Sequence, residues 1–301
     1  MRIAITGATG FLGKYLVNYL FDCSYKLTVI AIPEENASEY FSDKITIYES
    51  NYSHDSLIKI FDQVDVVIHL VAQTMQVNTN PLRVSNFTDV NLQITENILV
   101  AAQETGVEQV IQMSSNGVYS SANNLPFKET EIPIPATIYG VSKLFAEKLG
   151  EYISYKTDLN VVSLRLARLY GYGERDSVVF TKYMKLALNK EPVEVWGEGK
   201  TGIDYLYVRD AVEAIELAVR KKIESGIYNV GSGKMTSVKE IANAICKISH
   251  NLDNLIFDKS KQEGGYYIEM DSSKFQEATN WKAKWKLNDA VEEMFKLYQE
   301  A

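Results

Sequence analysis

The sequence predicts an α/β fold: a doubly wound parallel sheet joined to a smaller, mixed α/β C-terminal lobe. Two stretches carry this expectation. Residues 1–13 read MRIAITGATGFLG, a short apolar strand that breaks into three glycines where a helix is to begin. Residues 64–70 read VDVVIHL, a nearly continuous apolar strand of the kind buried between two helix layers. Length and composition agree, since 301 residues with 46% hydrophobic and 23% charged side chains can build a large core and a further lobe.

The elements follow in order. A strand, a tight glycine turn and a helix start present bare backbone N–H groups and a positive helix end to an anion, which makes residues 1–13 a pyrophosphate cradle. Gly7 allows the turn, Gly10 lets the backbone approach phosphate, and Gly13 lets the helix pack close. Lys14–Asp22 has helical apolar spacing, and Leu27–Ile32 is the second strand. An acid about 20 positions past the glycines would grip an adenosine ribose; Glu34 is the candidate, with a plain loop charge the alternative. No arginine stands near it to hold a 2′-phosphate, which favours NAD over NADP.

A strand at Ile45–Glu49, a helix near Asp55–Phe61 and the strand at Val64–Leu70 continue the alternation. His69 inside that strand reads as a packed core histidine. Residues 73–85 read as a loop over the carboxyl ends of the strands, the edge where ligands bind. A long helix from Asp89 to Thr105 leads to a strand from Gln109 that ends in Ser114-Ser115.

Tyr139-Gly140-Val141-Ser142-Lys143 opens the next helix, where positions four apart share a face. A free tyrosine titrates near about 10 and is a poor base at neutral pH, whereas a neighbouring ammonium favours the phenolate. With the Ser115 hydroxyl at a strand end beside it, Tyr139 can relay a proton to or from a substrate hydroxyl.

Composition excludes several classes. A net charge of −8 and a pI near 5.1 disfavour a nucleic-acid surface. No apolar run reaches the roughly 20 residues of a membrane span, and the cytoplasm is the expected location. Cys23 and Cys246 fit neither a disulfide nor a metal pattern and read as buried thiols; no metal is expected. Trp196 reads as core, Trp281 and Trp285 as a cap on the C-terminal lobe, and 288–298 as a docked amphipathic helix.

Taken together, TGATGFLG at 6–13, DVVIHLVA at 65–72, Asn91 with Thr95 and Asn97, SSNGVY at 114–119, YGVSK at 139–143, LRLARLYGYG at 164–173, YLYVRDAVEAI at 205–215 and YNVGSG at 228–233 resemble the extended short-chain dehydrogenase/reductase family. Within it, nucleotide-sugar epimerases and dehydratases are the closest match, above all NAD-dependent UDP-sugar 4-epimerases. The resemblance implies a Rossmann-type domain over 1–169, with 205–232 returning to it, and a substrate-binding lobe from 170–204 and 233–301.

It also implies site residues. Gly7, Gly10, Phe11, Leu12 and Gly13 would hold NAD, with Asn51-Tyr52 at the adenine, where asparagine replaces the usual aspartate. Leu70, Val71, Ala72, Asn91, Ser114 and Leu166 would line the ribose and nicotinamide pocket. Tyr139 would take the proton, Ser115 would bond the reacting oxygen, and Lys143 would hold the nicotinamide ribose while lowering the phenol's pKa. Gln73, Ser115, Asn116, Tyr139 and Arg168 would touch the sugar nucleotide.

Such dehydratases and decarboxylases carry a carboxylate just after the catalytic serine or threonine. Here Asn116 and Gly117 stand there, and neither cysteine matches the 3,5-epimerase position. The expectation is 4-epimerisation of a UDP-hexose or UDP-N-acetylhexosamine, with NAD(P)H-dependent carbonyl reduction as the alternative. An idle dinucleotide sensor is a third reading, which an intact Ser115, Tyr139 and Lys143 opposes. Two familiar diphosphate arginines are absent, one replaced by Ile203 and the other leaving only Lys259 and Lys261 nearby; Arg168 can reach the diphosphate or pair with an acid. A homodimer is expected through helices near 87–105 and 138–156, with Leu92, Ile98, Leu144, Leu149 and Ile153 facing either the partner or the sheet.

Overall fold

A computed structural model describes residues 1–75 and 80–301. The part of the expected 73–85 loop at 76–79 lies outside the described residues. The strands are β1 (Arg2–Thr6), β2 (Lys26–Ala31), β3 (Thr46–Glu49), β4 (Val66–His69), β5 (Gln109–Ser115), β6 (Asn160–Leu166), β7 (Arg168–Tyr170), β8 (Val193–Trp196), β9 (Gly202–Tyr207), β10 (Gly226–Val230), β11 (Met235–Ser237), β12 (Leu255–Asp258) and β13 (Tyr267–Ile268). The helices are α1 (Phe11–Asp22), α2 (His54–Phe61), a single turn α3 (Ser85–Phe87), α4 (Ile94–Glu104), α5 (Ile138–Lys156), α6 (Val179–Leu188), α7 (Val208–Arg220), α8 (Val238–Ile248), α9 (Ser273–Thr279) and α10 (Leu287–Glu300).

Seven strands form an all-parallel sheet in the order β10-β6-β5-β4-β1-β2-β3. The chain winds outward from β1 in both directions, so the order reverses between β1 and β4 and opens a crevice above their carboxyl ends. Helices α1 and α7 cover one face over a core that includes Ile5, Leu16, Leu164 and Ala211; α2, α4 and α5 cover the other over Val67, Leu99, Val110 and Ile153. β10 joins this sheet, while β7, β9, β11 and β13 form a second one and β8 pairs with β12. A third core, with Phe180, Tyr207, Ile241 and Met294, lies beneath α6, α8 and α10.

Buried polar groups are paired as burial demands. His69 is fully desolvated, shares hydrogen bonds with Thr6 Oγ1 (2.9 Å) and Thr95 Oγ1 (3.0 Å), and burial pushes its pKa down to about 3. It is a core histidine. Asp204 of β9 accepts from Ser232 N, Gly233 N and Met270 N, binding the second sheet to the segments after β10 and β13.

Four sequence expectations fail. Cys23 is exposed, because it caps α1 after the last buried turn, whereas Cys246 is buried. Trp196 is 55% exposed at the end of β8, where Lys261 lies 5.4 Å from its ring centre. Trp281 lies in the large-sheet core against Phe275, so only Trp285 serves the smaller lobe, against Tyr207. The helix expected from Asp89 begins instead as a π-helical segment, Thr88–Gln93, before α4. Wide π turns accompany functional sites, and this one carries Asn91.

Candidate active site

The glycine turn is built as its residues require. Gly7 has φ +68°, and a Cβ there would meet Val71 N at 2.8 Å. Gly10 caps α1, with no side-chain cap and no acid in the first turn. The first N–H groups of α1 are therefore open to an anion.

Opposite the turn, β5 ends at Ser115 and α5 begins beside it. A Cβ on Gly140 would fall 2.0 Å from Gly117 O, so only glycine lets the helix press onto the loop after β5. That approach sets the Tyr139 ring beside Gly117 and the Ser115 hydroxyl. Ser115 Oγ accepts from Gly117 N (3.0 Å). Thr137 caps α5 by accepting from Gly140 N at 3.1 Å.

A cavity of about 460 Å³ joins the two halves. Gly7, Gly10, Phe11, Leu12, Gly13, Leu70, Ala72, Ser114, Ser115, Asn116, Tyr139, Lys143, Leu166 and Arg168 all line it. Thr74, Met75, Glu174 and Arg175 line it as well and were missed from sequence. Arg175 follows the glycine-rich segment at 171–173; its Nη1 donates to Thr74 Oγ1 (3.0 Å), and Nε contacts Glu174 Oε1 at 3.3 Å.

The electrostatics depart from the simple tyrosine–lysine pair. Burial pushes the Tyr139 phenol up, while the Ser115 hydroxyl, Arg168 and Arg175 pull it back. Lys143 Nζ instead donates to Met113 O (2.9 Å), and burial lowers its pKa to about 8 against the opposing pull of Glu147. The lysine keeps a proton at neutral pH, but the charges that act on the phenol here belong to the two arginines.

Behind the site lies a buried ion pair. Arg165 Nε and Nη2 donate to Glu147 at 2.8 and 2.7 Å, Nη1 donates to Tyr119 OH at 2.6 Å, and Ser114 Oγ also donates to Glu147. The Ser114 side chain thus faces the core, so its hydroxyl is not available to a cofactor.

Other expected contacts are spent elsewhere. Asn91 Nδ2 donates to Gln73 O and Ser142 Oγ, both at 2.9 Å, and its Oδ1 accepts from Gln73 N at 2.7 Å. It fixes the backbone of Gln73 to α5 and lies outside the cavity wall. Val71 packs into the core beneath α2 and α4. Asn51 Oδ1 accepts from Ser53 N at the start of α2, and Tyr52 N donates to Ser50 Oγ. Glu34 is exposed, whereas one carboxylate oxygen of the adjacent Glu35 is enclosed without a hydrogen-bond partner in the structure. Its charge acts on the phenol of Tyr52. An enclosed acceptor without a partner fits a dinucleotide's ribose hydroxyls, and the open N–H groups of α1 fit its pyrophosphate. Ile203 lies in β9 opposite Thr236, and Lys261 is engaged by Glu194 and Asp258. Among the described residues no cluster of His, Cys, Asp and Glu could hold a metal ion, and no helix is long and apolar enough to cross a membrane.

Sheet order, glycine turn and the Ser115, Tyr139 and Lys143 constellation define an enzyme of the extended short-chain dehydrogenase/reductase type. Residues 3–231 match the NAD dependent epimerase/dehydratase family, and the chain belongs to that family. It is 30% identical to a putative UDP-glucose 4-epimerase of Methanocaldococcus jannaschii over 96% of this chain and 95% of that one. It is 25% identical to the dTDP-4-dehydro-6-deoxyglucose reductase of Escherichia coli over 97% and 96% of the two chains. The solved UDP-N-acetylglucosamine 4-epimerase of Bacillus cereus superposes with a TM-score of 0.87 at 29% identity, covering 100% of this chain and 97% of that one.

Proposed function

We propose that this chain is a nucleotide-sugar 4-epimerase, acting on a UDP-hexose or UDP-N-acetylhexosamine by transient oxidation and re-reduction at C4. The observation that supports this most directly is the single cavity lined by Ser115, Tyr139, Lys143 and the glycine turn. Bound NAD would supply a reversible hydride acceptor. Gly7, Gly10, Phe11, Leu12 and Gly13 would hold its pyrophosphate, and Leu70, Ala72, Leu166 and the Ser114 backbone would wall the pocket. Glu35, in place of Glu34, would take the adenosine ribose, and Lys143 the nicotinamide ribose.

Tyr139 would accept the C4 hydroxyl proton and later return it, with Ser115 hydrogen-bonding the same oxygen. Arg168 and Arg175 favour the phenolate. Asn116 offers no titratable group at its position, which supports epimerisation over elimination. We assign the large-sheet unit to the dinucleotide and the smaller sheets to the sugar nucleotide, in a cytoplasmic protein.

A homodimer is also proposed, with its contact residues revised. Ile98 and Ile153 are buried in the core, and Leu144 and Leu149 pack against it. Val141, Phe145, Tyr152 and Tyr155 instead form an exposed apolar stripe along α5 that a second copy would cover.

The reductase relative keeps a second reading open: consumption of NADPH by a keto sugar. Purified protein separates the two. Epimerisation predicts a UDP-sugar and its 4-epimer interconverting with no reduced cofactor added, whereas stoichiometric NADPH oxidation with no epimer would establish the reductase.

A further inference from the structure

We infer that a lysine-lined hollow on the smaller lobe, separate from the catalytic cavity, is a binding site for a small polyphosphate, either free or carried by a nucleoside.

The hollow encloses about 730 Å³ between three segments: the turn at 232–236 that leads into β11, the exposed face of α8, and residues 283–288 at the start of α10. None of its lining residues lines the catalytic cavity. The two spaces are neighbours along β7, where Arg168 and Leu169 line the catalytic cavity and the next residue, Tyr170, lines the hollow.

The argument begins with charge. Lys234, Lys239, Lys247, Lys284 and Lys286 line the hollow against one carboxylate, Glu240, in a chain whose net charge is −8. Glu240 is spent on capping α8, where it accepts from Ser237 N and Oγ at 2.8 and 2.7 Å. Lys284 pairs with Glu213, and the Lys239 ammonium lies 5.8 Å from the Phe257 ring centre. Lysines elsewhere find acids, as Lys222 finds Glu108 and Lys296 finds Glu292, but among the described residues Lys234, Lys247 and Lys286 form no ion pair. Three uncompensated ammoniums round one concave space raise its potential and favour a ligand with several negative charges. Each ammonium serves a phosphate oxygen as a point charge.

A buried donor points the same way. Tyr170 is only 3% exposed, with its ring 4.0 Å from that of Phe180 and 5.2 Å from that of Tyr207, centre to centre. Its hydroxyl donates no hydrogen bond within the protein and is not sealed from solvent, so it opens onto the hollow that Tyr170 lines. Burial pushes the phenol up, which keeps it a donor at neutral pH. A donor held without an acceptor suits an anion's oxygen. Trp285 and Leu287 add an apolar wall against which a nucleoside base can lie.

The test is calorimetric titration of inorganic tripolyphosphate, and separately of ATP, into the whole protein saturated with NAD and UDP so that the catalytic cleft is occupied. One site per chain is expected. Replacing Lys234, Lys247 and Lys286 together by glutamine should raise Kd by about 10-fold or more. Tyr170→Phe, which keeps every charge, should raise it by about 3-fold or more. A control in which the exposed Lys26, Lys59 and Lys221 become glutamine should bind as the wild type does. Tighter binding of ATP than of tripolyphosphate would assign the nucleoside to the hollow, and parity would assign the polyphosphate alone. Absence of binding, displacement of the probe by UDP, an equal loss in the control, or a Tyr170→Phe variant that binds as wild type would each overturn the inference and leave the epimerase reading in place.

Discussion

Replacing Glu147 by glutamine tests the buried frame behind the catalytic groups. Glu147 and Arg165 are 0% and 1% exposed, and the carboxylate also receives the Ser114 hydroxyl, one residue before Ser115. Glutamine keeps the shape and removes the charge, leaving a guanidinium buried against Tyr119 with no counter-ion. Breaking a buried pair from one side costs about 3–5 kcal/mol, a large share of the roughly 5–15 kcal/mol that holds a domain together. At about 2.1 cal/mol/K per residue, the unfolding entropy of 301 residues is about 0.6 kcal/mol/K, so Tm should fall by about 5–8 °C. Scanning calorimetry and urea titration on the same samples measure both quantities. Adding Arg165→Met, which removes the stranded charge, should recover most of the loss. A loss below about 1 kcal/mol in Glu147→Gln, or no recovery in the double variant, would refute the reasoning.

The remaining predictions concern protons and assembly. Burial lowers the pKa of Lys143 to about 8 in the folded protein, below the 10.5 of an exposed lysine, so above pH 8 the unfolded chain holds a proton that the native one has released. Wild type should therefore gain stability over Lys143→Met as pH rises from about 8 to 10.5, by up to about 3 kcal/mol; parallel stability curves in urea titrations across that window would contradict the buried ammonium. Phe145→Glu with Tyr152→Glu should convert a dimer to a monomer in light scattering, while a dimer that survives both substitutions would place the interface elsewhere.

The large sheet was legible because its signals are local. Gly7 needs a positive φ, VDVVIHL has to be buried on both faces, and His69 in such a strand has only hydroxyls for company. The Tyr139–Lys143 spacing on α5 and the Ser115 strand end were readable for the same reason, since each is fixed by one element's period.

What sequence did not reveal depends on where side chains turn once elements meet. Asn91, Ser114 and Asn51 stand at familiar positions, but their polar atoms are satisfied by Gln73, Glu147 and Ser53, a pairing set by packing between distant segments. Glu34 and Glu35 differ by one place on a short turn, and only the fold decides which carboxylate is enclosed. Arg175 lies in an irregular stretch whose path no periodicity constrains; the glycines at 171 and 173 just before it were the one available hint. Trp196 and Cys23 show the limit of residue-type expectations, since both sit at element ends where burial stops.

The most direct test of the central claim is turnover by Tyr139→Phe together with its bound nucleotide. Phenylalanine preserves the ring that packs 6.3 Å from Phe87 and deletes only the hydroxyl. UDP-sugar epimerisation should fall by about 10²–10⁴-fold, while the variant retains NAD at wild-type stoichiometry. Epimerisation at the wild-type rate in that variant would contradict the assignment of Tyr139 as the proton acceptor.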